Sequence, residues 1–294
     1  MDTKSILEHL TLPNCPVGLG GCKNHDATLE CCEYNLTVFD NKESKDEIHV
    51  FADEIIKVHH GTLEESNLDV LQKYDKMSAL SDPEWRLKIF LSGIKEKGDK
   101  IRIACIKNQL IDSALYATRA KQGMSSDPFA SSWLKCAAYS MADALVLYNA
   151  KPLSPTHMLE YARKFKKNKA NESFSVIADV IGLERATPSL LSRMVRSTVG
   201  FSDMVEDNQN SKIIQKKYDY FMNNSLFSDC YFYLGYVNRN NLISIKDTIH
   251  KKPELIHVLK TALDIEHDVT KTEQQASKIH MLAHDLTNML SEHA

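Results

Sequence analysis

An α+β protein is predicted, with a small mixed β-sheet unit at the amino terminus and a predominantly helical body after it. Three observations lead there. Short apolar runs and period-two alternation, broken by turn residues, occupy roughly the first sixty residues. Beyond that the pattern becomes helical, with apolar positions three and four apart. The chain is 294 residues long, enough for about two domains and a sizeable core. The divisions read from these changes are 1–66 for the sheet unit, 67–168 for a helical bundle and 169–294 for a second helical segment.

Taken in order, Ser5–Leu12 places Ile6, Leu7 and Leu10 on one helical face, and Pro13 ends it. Val17-Gly18-Leu19 reads as a buried strand opening into Gly20-Gly21, and Lys23–Asp26 as a polar loop. Tyr34, Leu36 and Val38 alternate with Glu33, Asn35 and Thr37, the mark of a strand with two distinct faces. Asn41–Asp46 is a charged turn. Ile48–Phe51 and Glu54–His59 form a hairpin about Ala52-Asp53, and Gly61 closes the unit.

Helical periodicity then runs through Asn67–Tyr74, Glu84–Lys97, Lys100–Lys121 and Pro128–Tyr148, with Gly98 and Gly123 as stops. Ala130–Leu147 is apolar around most of its circumference, which places it at the centre of a bundle. Ser154-Pro155 starts a helix running to Lys166, and the basic stretch Lys164–Glu172 is read as a boundary. Pro188–Val205, Lys212–Gly235, Pro253–His267 and Val269–Ser291 complete the helices. The aromatics Tyr218, Tyr220, Phe221, Phe227, Tyr231, Phe232, Tyr233 and Tyr236 are expected in the core.

Composition excludes several classes. Hydrophobic residues make up 43% and charged residues 26%, ordinary for a globular protein. A formal net charge of −3 exerts no global pull on nucleic acid or anionic lipid, so neither a nucleic-acid nor a membrane partner is indicated. No window approaches the roughly eighteen apolar residues of a spanning helix, and Met1–Leu12 has no signal-peptide core. The seven cysteines are odd in number and unevenly spaced, which predicts a reduced, cytoplasmic protein.

The chemistry lies between residues 20 and 57. Two glycines without side chains let a backbone approach a polyanion and offer it their N–H groups. Eleven residues (Cys22–Cys32) separate this pair from Glu33-Tyr34-Asn35-Leu36. Polar side chains at i and i+2 of a strand project from the same face. This order of parts resembles the polymerase-beta-like nucleotidyltransferase superfamily, whose signature is a Gly-Gly or Gly-Ser pair, a spacer of about ten residues and an acidic–hydrophobic–acidic–hydrophobic strand. The helical remainder is similar in character to the carboxy-terminal domains of the kanamycin-nucleotidyltransferase type.

The resemblance implies nucleoside triphosphate and Mg²⁺ as cofactors of an active member, with Glu33 and Asn35 in the metal positions. It implies Gly20, Gly21, Lys23 and Lys57 as the nucleotide-binding residues. This chain departs from the signature twice. Asn35 replaces the second acid, and the strand Glu54–His60 presents Lys57 or His59 where a third acid belongs. Two unit charges about 4 Å apart differ by about 4 kcal/mol at an effective dielectric near 20, enough to empty a metal position. The expectation is a degenerate member that binds a nucleotide or another phosphate in a regulatory role. An active enzyme modifying a small molecule or a protein, and an interaction protein without a ligand, are the alternatives.

Other constellations are weaker. Cys15, Cys22, His25, Cys31 and Cys32 crowd into eighteen residues, the ligand types of a zinc site, although their spacing lacks paired knuckles and burial as small hydrophobes is the expected fate. His280 and His284 share a helical face without the glutamate of a zinc-protease motif, and His267 and His293 extend a histidine-rich surface. The basic run Arg163–Lys169 reads as a solvated linker. No nucleophile elbow, phosphate-binding P-loop or ribonuclease-type Arg/His spacing is present.

Overall fold

The computed structural model describes residues 3–10, 12, 14–24, 28–206, 210–266 and 268–292. Pro13, His25, Asp26, His267 and His293 lie outside them. The chain divides into two compact units, Met1–Cys105 and Ile106–Ala294, and the divisions drawn from sequence at 66 and 168 fall inside these units. Among the described residues, no helix is long and apolar enough to cross a membrane.

The first unit begins with α1 (Thr3–Leu10), β1 (Val17–Gly20) and a 3₁₀ turn at Cys22–Asn24. Then come β2 (Tyr34–Val38), β3 (Glu47–Phe51), β4 (Glu54–His60), α2 (Leu68–Tyr74), β5 (Ser78–Ser81) and α3 (Arg86–Glu96). The sheet order is β3-β4-β2-β1-β5. The β2/β4 pair is parallel and every other pair antiparallel. Tyr34, Leu36 and Val38 from β2, Ile56 and Val58 from β4, and Val17 and Leu19 from β1 form one buried cluster with Ile6 of α1. The period-two alternation thus selects the face that α1 covers. The hairpin turns at Ala52 (φ 48°) and Asp53 (φ 66°), and positive φ at both central residues is the turn that matches strand twist.

The sheet reaches past residue 66. Ser78–Ser81 pairs with β1 as an edge strand inside what the periodicity presents as helical territory. Its four residues are all half-buried, so neither an apolar run nor an alternation announces it.

Helix α4 (Gly98–Gly123) runs across the division between the units, with Gly98 at its start. The second unit is helical. Its centre is α5 (Ala130–Tyr148), buried everywhere except Ser131, Lys135 and Tyr148, as the sequence predicts. Packed on it are α7 (Lys169–Ile181), α10 (Phe227–Ser244) and α12 (Val269–Glu292). Helices α8 (Pro188–Glu206), α9 (Ser211–Asn223) and α11 (Leu255–Ala262) pack about α10 or α8, and α6 (Met158–Arg163) is shorter than the helix expected to Lys166. Phe221, Tyr231, Phe232, Tyr233 and Tyr236 are buried.

The basic stretch Lys164–Glu172 holds the break between α6 and α7, and α7 starts where the Asn168 side chain accepts a hydrogen bond from the Asn171 N–H. One expectation is corrected here. The long helix expected over Lys212–Gly235 is two helices, α9 and α10, broken at Ser225 (φ 56°).

Non-glycine residues in the left-handed region cost about 1–2 kcal/mol each, less for Asn and Asp. Ala52→Asn with Asp53→Gly is therefore expected to stabilise the hairpin by about 1 kcal/mol, seen as slower hydrogen exchange of the β3 and β4 amides. Unchanged exchange would show that the turn carries no strain.

Candidate functional site

Register decides which polar groups meet. Gly20 stands opposite Asn35 in the β1/β2 pair, and Asn35 stands opposite Lys57 in the β2/β4 pair. Paired residues on neighbouring strands project from the same face. Gly20, Asn35 and Lys57 therefore form one row across the middle of the sheet, opposite the face that α1 covers. Gly21 adopts φ +68°, and a Cβ on it would stand 2.6 Å from Asn35 Nδ2. The glycine turn thus lies directly over the Asn35 amide and has room for no side chain there. Glu33, one residue before β2, joins the row: Asn35 Nδ2 lies 3.5 Å from its Oε1.

Lys57 is not an isolated cation. Its Nζ lies 2.9 Å from Asp46 Oδ2, and His59 Nδ1 lies 2.7 Å from Asp46 Oδ1. Lys57 and His59 are i and i+2 on β4, so a single carboxylate bridges two side chains of one face. Burial alone would raise the Asp46 carboxyl. The hydrogen bond and charge of His59, with the charge of Lys57, outweigh it and hold the group well below the ordinary carboxylate range. Asp46 is not among the candidate site residues drawn from the sequence. It closes the charged turn just ahead of β3, and the antiparallel β3/β4 register carries it beside Lys57. A carboxylate next to a strand that pairs with the lysine-bearing strand was the available signal.

Lys23 turns elsewhere. Its Nζ is 3.0 Å from Glu54 Oε1 and 4.9 Å from the centre of the Tyr34 ring. By strand alternation Tyr34 and Glu54 belong with Leu36, Ile56 and Val58 on the opposite face. Of the six residues singled out in the sequence, Gly20, Gly21, Glu33, Asn35 and Lys57 share one surface and Lys23 does not.

The metal implied by the resemblance can be tested against this donor set. Magnesium in such sites takes one or two protein carboxylates together with substrate phosphates. Here the two central positions of the row are an amide and an ammonium, on strands about 4.8 Å apart. Glu33 alone contributes a carboxylate beside Asn35. These residues do not fit a pair of magnesium ions. Of the cysteines weighed as zinc ligands, Cys22 and Cys32 bring their Sγ atoms within 4.8 Å of one another, and no disulfide links the seven cysteines. In the helical unit, the basic run supplies Arg163 to Asp229, 3.0 Å from its Oδ1, and Lys164 to Glu160 at 2.6 Å.

No family model matches the chain, and no curated protein matches it.

The depressed Asp46 carboxyl gives a pH dependence with a definite sign. A folded pKa below the unfolded value of about 3.9 adds stability that is complete above about pH 4 and lost as pH falls below it. The natural protein is expected to lose the small stabilisation this pair gives the β3–β4 hairpin, about 0–1 kcal/mol, through this window, and Asp46→Asn to flatten that acid limb. Amide chemical shifts followed by NMR titration check both; parallel acid limbs in the two proteins would contradict the assignment.

Proposed function

We propose that the sheet unit is a polymerase-beta-like nucleotidyltransferase fold with a degenerate acidic motif. On this reading it binds a nucleoside triphosphate or related polyphosphate without a magnesium pair, in a binding or regulatory role. The observation that carries the reading is the row Gly20–Asn35–Lys57 with the Gly21 turn above it. The glycine turn offers backbone N–H groups to phosphate oxygens. Asn35 donates where a carboxylate would repel a polyanion, and Lys57 provides the fixed positive charge that a metal ion otherwise supplies.

Asp46 is then the group a phosphate displaces. Its side chain is 41% exposed against 19% for Lys57, so the carboxylate can move into water while the ammonium stays. A half-exposed ion pair contributes little, about 0–1 kcal/mol, whereas a phosphate brings more charge and several acceptor oxygens.

Asp46 also favours the second reading, an active enzyme transferring a nucleotide to a small molecule or a protein. In that case Glu33 and Asp46 act together and magnesium is required. Isothermal titration with ATP, with magnesium and with chelator, separates the readings. The proposal expects equal affinity in both conditions. It expects Lys57→Met to weaken binding by roughly tenfold or more, the worth of one charge-assisted hydrogen bond, and Asp46→Asn to strengthen it. Magnesium-dependent heat with pyrophosphate release would support the enzyme instead. Absence of heat with every polyphosphate would leave an interaction protein.

A further inference from the structure

The face of the sheet that carries the core holds a second polar cluster at its β3 edge, on the side away from the Gly20–Asn35–Lys57 row. Register places it there. Val38 of β2 stands opposite His60 of β4, and Val58 of β4 stands opposite Glu47 of β3. Val38 and Val58 belong to the buried cluster, so His60 and Glu47 project from that same face. His49 shares it, two residues after Glu47 on the strand, and Asp40 lies two residues beyond Val38.

His60 is the centre of the cluster. Its side chain is 8% exposed, as is that of Asp40. Its Nδ1 lies 3.0 and 3.1 Å from the two Asp40 oxygens. Burial would raise the Asp40 carboxyl. The hydrogen bonds from His60 and from the Lys42 N–H outweigh that and hold the group below the ordinary carboxylate range. An ionised carboxylate only accepts, so Nδ1 carries the proton, and the neutral imidazole has its lone pair on Nε2. Among the described residues Nε2 is buried with no hydrogen-bond partner. Glu47 Oε1 faces it at 3.7 Å, beyond hydrogen-bond reach, and Glu47 Oε2 lies 3.1 Å from His49 Nε2.

An imidazolium clamped between two carboxylates is the purely structural account. It leaves a buried N–H short of its acceptor, the costly half of an unmade hydrogen bond. A metal ion accounts for the same geometry without that cost. Histidine ligands almost always present their other ring nitrogen to a carboxylate or carbonyl, which fixes the tautomer, and Asp40 takes that place here. Two ligands at zinc bond lengths of about 2.0–2.1 Å stand about 3.4 Å apart in a tetrahedron, close to the separation of His60 Nε2 and Glu47 Oε1. The side chains of His49 and Glu47 are 38% and 55% exposed, with room to turn toward an ion. Lys42 pairs with Asp40 Oδ2 at 3.3 Å, which leaves Glu47 as the negative ligand.

We propose that His60 Nε2, one Glu47 oxygen and His49 Nε2 bind a Zn²⁺ ion, with Asp40 orienting His60 and water in the fourth position. Imidazole together with carboxylate suits a first-row ion such as zinc rather than magnesium or calcium. The ion closes the β3–β4 hairpin at the end opposite its Ala52-Asp53 turn. The site is independent of the phosphate row on the other face.

The test uses the full chain stripped with chelator and titrated with Zn²⁺ alone, followed by imidazole ¹⁵N NMR. One equivalent is expected to shift Nε2 of His49 and His60 and to leave Nδ1 of His60 protonated. Co²⁺ in its place should give the visible band of a four-coordinate nitrogen–oxygen site without thiolate charge transfer, and Cys22→Ser with Cys32→Ser should leave that band unchanged. Asp40→Asn is expected to weaken zinc binding roughly 10–100-fold and His60→Gln by more. Shifts confined to other histidines, a cobalt–thiolate band, undiminished binding by His60→Gln, or no zinc bound would overturn the proposal. The NMR reading on the natural protein decides it whether or not a variant folds.

Discussion

The parallel pairing of β2 with β4 is the constraint from which the candidate site follows. Tyr34, Leu36 and Val38 on one strand and Ile56 and Val58 on the other are all buried in a single cluster. A slip of one residue would carry this whole set to the opposite face and bring Asn35 and Lys57 into an apolar core. Burying an unpaired ammonium there would cost several kcal/mol. The hydrophobic alternation therefore fixes the register, and the register sets Gly20, Asn35 and Lys57 side by side. The chemistry of the outer face is a consequence of packing on the inner one.

Charge is balanced locally within this unit. Lys57 is matched to Asp46 and Lys23 to Glu54, on opposite faces of the sheet. The two pairs are not equivalent for a ligand. Glu54 lies on the face that carries the core, and its side chain is 25% exposed. Asp46 comes from a turn and is more open, so it is the partner that can leave. On the proposed reading, a fixed lysine with a removable carboxylate would make an anion site with its own internal competitor. The competitor keeps the ammonium from standing unpaired when no anion is bound.

How much of this was legible depended on how strongly each segment declares its period. The alternation at 34–38 and the short apolar runs at 47–51 and 54–60 on either side of Ala52-Asp53 made the central strand and the β3–β4 hairpin readable. Ser78–Ser81 was not, because a four-residue edge strand is held by backbone pairing to β1 rather than by side-chain burial. Helix α7 was obscured by the lysines around its Asn168 cap. The break between α9 and α10 occurs at Asn224-Ser225 with neither glycine nor proline to mark it. At the site, the row could be anticipated from spacing, but Asp46 could not be placed. It reaches Lys57 from the position just before β3, and which side chain of the Asn41–Asp46 turn would do so depends on the hairpin register, which the alternation alone did not fix.

The two departures from the acidic signature make sense together rather than singly. Acids at both positions 35 and 57 would set two negative charges on adjacent strands about 4.8 Å apart, a repulsion normally relieved by bound cations. An asparagine opposite a lysine removes that repulsion, and Asp46 supplies the missing countercharge from outside the row. The sheet can then close without an ion. Asn35 alone would leave a weakened metal site, and Lys57 alone would leave a repelled one. The pair, with Asp46 beside it, forms a row whose charges are matched within the unit.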